Sequence, residues 1–402
     1  LAADGHPAGQ DGPGGNVDFR PCAVEGMVTP MENLNSAHDV VSRDLAYIRT
    51  GAEAAFDKLA GKAVLVTGGA GFLGYYLVQA ILSRNGDVPA DRRIRLTVYD
   101  NYIRGVPQWL KALSGNPDLT LVRHDITGPL PDAMPDFQYI IHAASIASPI
   151  YYRKHPIETM DANVNGLRRL LEYCRRQPAE KAVEGFLFFS SSEIYGDPPP
   201  HRIPTDETYP GEVSCTGPRA CYDESKRFGE TLSVNFARQY GLPIKIVRPF
   251  NNYGPGLKIT DRRVLPDFAR NILNGEDIVL LSDGSPTRTF CYVADAVMGY
   301  FRVLVHGRPG EAYNIGVSTP EISMRELAEK VVGLGRDLFG YAGRVVRRQS
   351  GDESYLTDNP NRRCPIIEKA RAEVGYSPGI ELEEGLRRML IWYGDNRNGE
   401  DA

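Results

Sequence analysis

Tyr222 and Lys226 stand four residues apart in the run Cys221-Tyr222-Asp223-Glu224-Ser225-Lys226-Arg227. On a helix that spacing puts both side chains on one face, one turn apart. A lysine ammonium near a phenol favours the phenolate, because an adjacent opposite charge stabilises the ionised form. An activated tyrosine can take the proton from an alcohol hydroxyl while a hydride leaves the same carbon. Both residue types are common, so the pair gains its weight from what surrounds it.

A hydride needs an acceptor, and Thr67-Gly68-Gly69-Ala70-Gly71-Phe72-Leu73-Gly74 offers a place to hold one. Gly68, Gly71 and Gly74 permit a tight turn, close approach of backbone to a pyrophosphate, and close helix packing. The run follows the strand-like Ala63-Val64-Leu65-Val66 and opens a helix at Phe72 and Leu73. The free N–H groups and positive dipole end of such a helix suit phosphates. Asp100 closes the second strand. A carboxylate there accepts hydrogen bonds from adenosine ribose hydroxyls and repels a 2′-phosphate, which selects NAD over NADP. The plainer reading is that Asp100-Asn101 merely starts a turn. Asp125, after the third strand, is a further candidate to face the adenine.

The elements that must position these residues alternate. Strands are predicted at 63–66, 94–99, 119–122, 139–142, 185–189 and 243–247. Between them come helices from Phe72, near 156–177 and across the Tyr222 segment. The alternation predicts an α/β fold: a Rossmann-type doubly wound parallel sheet, with a smaller C-terminal substrate-binding α/β region. Residues 61–255 form mainly the NAD-binding domain and 256–402 mainly the substrate region, the two interleaving. Ahead of them, 1–36 reads as a disordered or loosely attached tail. Across 37–60, Val40, Val41, Leu45, Ile48, Ala52, Ala55 and Leu59 recur at helical spacing, which predicts a helix or helix pair packed onto the first strand.

The net charge of −5, from 46 basic and 51 acidic residues with no long basic run, argues against nucleic acid or an anionic membrane as the main partner. Six cysteines lack any C-x-x-C pair and seven histidines lack H-x-x-x-H spacing, so neither a metal site nor a disulfide framework is expected. A reducing, cytoplasmic setting fits. Ala63 to Ser83 carries no charge, but glycines at 68, 69, 71 and 74 make it a strand-turn-helix rather than a membrane span.

With these motifs in order, the chain from about 62 to 395 resembles the extended short-chain dehydrogenase/reductase superfamily, in its nucleotide-sugar-modifying branch. The glycine run, Asp100-Asn101, His142-Ala143-Ala144-Ser145, Ser190-Ser191-Ser192-Glu193, Tyr222/Lys226, Arg248 to Pro255, and Tyr313-Asn314-Ile315-Gly316 carry the resemblance. Within the branch it is most similar to the UDP-glucuronate decarboxylases (UDP-xylose synthases). Gly217-Pro218-Arg219-Ala220-Cys221-Tyr222-Asp223-Glu224 matches that family nearly letter for letter. Ser191-Ser192-Glu193 is similar to its Thr-Ser-Glu triplet, and His142 to Pro149 to its HLASPASP segment.

The resemblance implies roles. Tyr222 is the proton acceptor and donor, Lys226 its activator and a ribose contact, and Ser191 a hydrogen-bond partner of the same sugar oxygen. Glu193 assists decarboxylation or reprotonation. Gly68, Gly71, Phe72, Leu73, Gly74, Asp100, Asn101, Asp125 and Ala143 would hold NAD, together with Tyr222 and Lys226. Arg288 and Arg263 match arginines at a nucleotide-sugar diphosphate, Arg363 and Asn165 are further candidates, and Ser192 and Asn252 would contact substrate. A UDP-sugar is the expected substrate and a homodimer the expected assembly. Dehydratases of the branch place an acid where Ser192 stands, and 4-epimerases usually lack the glutamate. A 4-epimerase of a UDP-uronic acid and a 4,6-dehydratase of another nucleotide sugar are the competing activities. A catalytically silent NAD-binding scaffold is the alternative from another class. Ser191 for Thr keeps the hydroxyl; the 37–60 helices are absent from compact members.

Overall fold

A computed structural model describes residues 34–348 and 360–397 of the chain. The expected tail at 1–36 thus lies almost wholly outside the described residues. Its last residue, Ser36, caps the first helix by accepting from the Asp39 N–H.

Runs of apolar and β-branched residues form strands β1 (Ala63–Thr67), β2 (Arg95–Asp100), β3 (Leu119–Arg123), β4 (Tyr139–His142), β5 (Gly185–Phe189) and β6 (Ile244–Pro249). All residues of β1, β4 and β5 are buried, as a sheet covered on both faces requires. A further strand, Ala312–Ile315, joins the edge beside β6. The order is Ala312–Ile315, β6, β5, β4, β1, β2, β3, and every neighbouring pair is parallel. Strand order reverses between β1 and β4. Helices leave those two strands toward opposite faces, and a crevice opens at their carboxyl ends. Gly68, Asp100, Ala143, Ser191 and Asn252 all follow or end strands on that side of the sheet.

Ala220–Tyr240 is the helix that carries Tyr222 and Lys226, and Gly241 stops it in the left-handed region at φ 66°. Its buried face includes Tyr222, Ser225, Lys226, Gly229, Leu232 and Phe236, at i, i+3, i+4 spacing. A Cβ on Gly229 would lie 2.4 Å from the Phe188 ring, so glycine brings this helix down onto β5.

The expected single helix near 156–177 is interrupted. Pro156–Asp161 and Leu167–Arg176 are separated by a π-turn at Ala162–Gly166, a rare geometry that gathers at functional sites. The expected helix pair forms as Ala37–Gly51 and Glu53–Leu59, but its packing corrects the expectation. The longer helix packs on helices Phe72–Gly86, Val293–His306 and Leu382–Asp395 rather than on β1. The N-terminal pair therefore packs mainly on other helices. Elements beyond 255 also return to the large sheet: Val293–His306 lies against β5 and β6, and Ala312–Ile315 completes the edge. Among the described residues no helix is long and apolar enough to cross a membrane.

Candidate active site

At the β1–helix turn, Gly68 has φ +74°, and a Cβ there would come within 2.6 Å of the Ala144 backbone. A side chain would therefore fill the space where β1 and β4 diverge. A Cβ on Gly74 would lie 2.1 Å from the Gly69 carbonyl oxygen, so glycine lets the helix start directly against the turn. Gly71 precedes the helix Phe72–Gly86 and supplies no side-chain cap to its first N–H groups. Asp100 accepts from the Ala70 N–H at 3.0 Å and the Tyr102 N–H at 2.8 Å, which pins the glycine turn to the end of β2. Asn101 donates to Asp125 at 3.1 Å, joining the ends of β2 and β3. Gly68, Gly71, Phe72, Leu73, Gly74, Asp100, Asn101, Asp125 and Ala143 all line one cavity of about 1000 Å³. A backbone cradle that a Cβ would fill, uncapped helix N–H groups and a carboxylate at the end of the second strand fit a dinucleotide.

The same cavity reaches Ser191, Ser192, Glu193, Tyr222 and Lys226. Lys226 Nζ donates to the Phe189 carbonyl at 2.7 Å and lies 5.7 Å from the Tyr222 ring centroid. Burial pulls the Lys226 pKa down to about 7. Burial likewise pushes Tyr222 up to about 12, and a hydrogen bond with Ser191 is the largest effect opposing it. The Lys226 ammonium spends a hydrogen bond on the β5 backbone, and Ser191 is the group that pulls the phenol pKa down most. Ser191 Oγ also accepts from the Glu193 N–H at 3.2 Å, which caps the short 3₁₀ turn Ser192–Tyr195 and aims Glu193. Below them, His142 Nδ1 meets Thr67 Oγ1 at 2.7 Å. Burial, then Lys226, lower that imidazole to about 3, so it is neutral at physiological pH.

Glu193 is held by two arginines. Arg363 forms a bidentate pair with it, one arm at 2.7 Å, and Arg219 reaches Oε2. Burial opposes its ionisation, but Arg219 and Arg363 outweigh that and hold the carboxyl well below the ordinary range. Arg363 is therefore brought to the Tyr222 end of the cavity, beside Glu193. Arg288 runs alongside, paired strand to strand with Arg363, and donates to the Thr287 and Asn361 carbonyls at 2.7 and 3.1 Å. Burial, and next the Arg363 charge, lower Arg288 to about 9.

The remaining candidates divide. Arg263 lines the cavity but is engaged by Asp261 at 2.9 Å, which also receives Arg104 at 2.9 Å. Asn252 lines it as well and donates to Tyr300 Oη, leaving its buried Oδ1 without a partner among the described residues. Asn165 is exposed and bonds Asp161 at 2.7 Å, so it faces away. Its neighbour Asn163, in the π-turn, is buried and donates to Ser225 at 2.9 Å on the Tyr222 helix. Asn163 falls in step with the buried Thr159, Gly166, Leu170 and Cys174, whereas Asn165 falls on the exposed side.

Two more cavity residues escaped the sequence reading. Tyr152 stacks on Tyr222, ring centroids 5.0 Å apart and planes 11° apart. Its hydroxyl is buried without a hydrogen-bond partner among the described residues. Arg219, one turn before Tyr222, reaches Glu193 from the start of the helix. Its position inside Gly217-Pro218-Arg219 was the available signal.

The sequence pattern described as the NAD dependent epimerase/dehydratase family matches residues 64–316. The Arabidopsis thaliana protein named UDP-glucuronic acid decarboxylase 3 is 38% identical over 326 residues, 81% of this chain and 87% of its own. Among solved structures, the epimerase Mth375 of Methanothermobacter thermautotrophicus superposes with a TM-score of 0.71 at 28% identity, covering 87% of this chain and 97% of that one. The dTDP-glucose 4,6-dehydratase DesIV of Streptomyces venezuelae, solved with NAD and TYD bound, gives a TM-score of 0.69 at 29% identity, covering 83% and 98%.

Proposed function

This chain belongs to the NAD dependent epimerase/dehydratase family, and we propose that within it the protein converts UDP-glucuronate to UDP-xylose with loss of carbon dioxide. NAD is its cofactor and, when bound, supplies the reversible hydride acceptor for C4 of the sugar. One observation carries the decarboxylase reading. Arg219 and Arg363 pair with Glu193 in the cavity shared with Tyr222, and the buried Arg288 lies alongside, so that three arginines face two carboxylates, Glu193 and Asp223, the latter 3.8 Å from Arg219. That excess of positive charge suits a sugar bearing its own carboxylate. The alcohol of Ser192, where a dehydratase needs an acid, and the likeness to the Arabidopsis decarboxylase support the same reading.

Tyr222 removes the proton of the C4 hydroxyl as C4 is oxidised, with Ser191 bonded to the same oxygen. The resulting ketone makes the C5 carboxylate a β-keto acid. Its C5–C6 bond breaks, carbon dioxide departs, and the electron pair moves into the C4 carbonyl as an enolate. A proton then returns to C5. Glu193, held ionised by Arg219 and Arg363, is suited to orienting the water that delivers it rather than to donating directly. Tyr222 gives its proton back to the C4 oxygen when the ketone is reduced. Arg288 and Arg263 are assigned to the diphosphate, and Ser192 and Asn252 to sugar or nucleotide hydrogen bonds.

The working assembly in this reading is a homodimer. Ile157 and Phe228, 60% and 49% exposed, lie on the neighbouring helices Pro156–Asp161 and Ala220–Tyr240 and leave an apolar face for a second copy. A Phe228→Glu variant that sediments as the wild type does would contradict it.

The deciding experiment supplies purified protein with NAD and UDP-glucuronate labelled at C6, and follows carbon dioxide and the sugar by NMR. Labelled carbon dioxide with a UDP-pentose product establishes the decarboxylase. UDP-galacturonate without carbon dioxide makes it an epimerase, and no change directs attention to other nucleotide sugars.

A further inference from the structure

Asp44, on the N-terminal helix Ala37–Gly51, is fully buried and receives hydrogen bonds from three separate elements. Tyr76 Oη donates at 2.5 Å, Tyr292 Oη at 2.6 Å and Arg388 Nη1 at 2.6 Å. Asp44 and Arg388 lie outside the residues matched by the family pattern, whereas Tyr76 and Tyr292 lie inside them. Two flanking segments thus meet between two parts of the catalytic unit.

Those two parts face the cavity from different directions. Tyr76 rides on Phe72–Gly86, the helix whose first residues line the dinucleotide crevice. Tyr292 ends the short strand Cys291–Tyr292, which pairs with Asn252–Tyr253. Asn252, Tyr253 and Phe290 line the substrate end of the same cavity. A carboxylate can accept all three donors at once, which no neutral side chain does as well. The helix that carries it is itself fixed: Tyr47 donates to Asp295 at 2.6 Å, and Arg302 donates to the Gly51 carbonyl at 2.7 Å.

We propose that Asp44 is a positioning residue that fixes the cofactor helix and the substrate strand at one spacing across the cavity. The proposal rests on the NAD and nucleotide-sugar reading of that cavity, not on decarboxylation. A merely stabilising buried bracket would lower the melting temperature and leave ligand affinities of the folded protein unchanged.

The test measures Kd for NAD and for UDP by calorimetry, well below the unfolding temperature, in Asp44→Asn, Tyr76→Phe and Tyr292→Phe. Arg388 keeps its 2.8 Å bond to Glu384 when Asp44 is changed, so its charge is not stranded. Tyr76→Phe should weaken NAD about tenfold and spare UDP, Tyr292→Phe should do the reverse, and Asp44→Asn should weaken both. A folded Asp44→Asn protein with both constants unchanged overturns the proposal. So does equal weakening of both ligands by either phenol variant. If Asp44→Asn fails to fold, the two phenol variants decide. A wild type that binds NAD but not UDP speaks against the proposed nucleotide, while the NAD measurements still test Asp44.

Discussion

Glu193 and Arg363, 170 positions apart in sequence, form a bidentate ion pair inside the cavity that holds Tyr222. Stranding a buried charge costs about 3–5 kcal/mol. Arg363→Met leaves Glu193 paired with Arg219, so it should lose stability by less than that in urea denaturation. Glu193→Gln should lose most turnover while both ligands still bind. The folded carboxyl titrates below its unfolded value, so its contribution is present at neutral pH and fades as pH falls through the folded pKa. Wild type should lose stability on acidification more steeply than Glu193→Gln. Parallel acid profiles would contradict the ion pair.

Tyr222→Phe keeps the stacked ring and the packing with Tyr152 but removes the proton acceptor. Turnover should fall about 10²–10⁴-fold with NAD affinity retained. Activity near the wild-type level would remove the mechanism.

Lys226 has the opposite linkage to an ordinary paired lysine. Its folded pKa of about 7 lies below the ordinary lysine value of 10.5, so the unfolded chain binds the extra proton between those limits. Stability from this group should rise with pH from about 7 to about 10.5. Lys226→Met, which never pays the burial of a charge, should be relatively more stable at pH 6, with the difference shrinking toward pH 10. Melting temperatures of both proteins across that range check this, and a constant difference would contradict it.

Gly68→Ala meets two obstacles, a left-handed φ of +74° and the Ala144 backbone 2.6 Å from the new methyl. It should destabilise by more than about 1 kcal/mol and abolish measurable NAD binding. Calorimetry with NAD reads the second effect directly. Normal binding would mean that the turn relaxes without touching the cofactor.

The sequence by itself determined the local elements. Alternating strand and helix periods, the glycines at 68, 71 and 74, and the four-residue step from Tyr222 to Lys226 are short-range signals, and each forms as its spacing requires. The adjacency of Asp100 and the glycine turn was legible too, because they sit at the ends of neighbouring strands whose order follows from a doubly wound sheet. What only the tertiary structure decided involves residues far apart in the chain. Which arginine meets Glu193 depends on how the 360s return to strand Thr287–Arg288. Arg363 consequently meets Glu193, and Arg263 meets Asp261. Asn163 rather than Asn165 turns inward in step with the buried Thr159, Gly166, Leu170 and Cys174, but its partner Ser225 lies on another helix 62 positions away, which periodicity does not register. The N-terminal helix illustrates the same limit. Its apolar spacing announced a helix, but the buried Asp44 found its partners only once Tyr76, Tyr292 and Arg388 were folded around it. Backbone hydrogen bonding is local and leaves a period in the sequence; charge pairing across a fold leaves none.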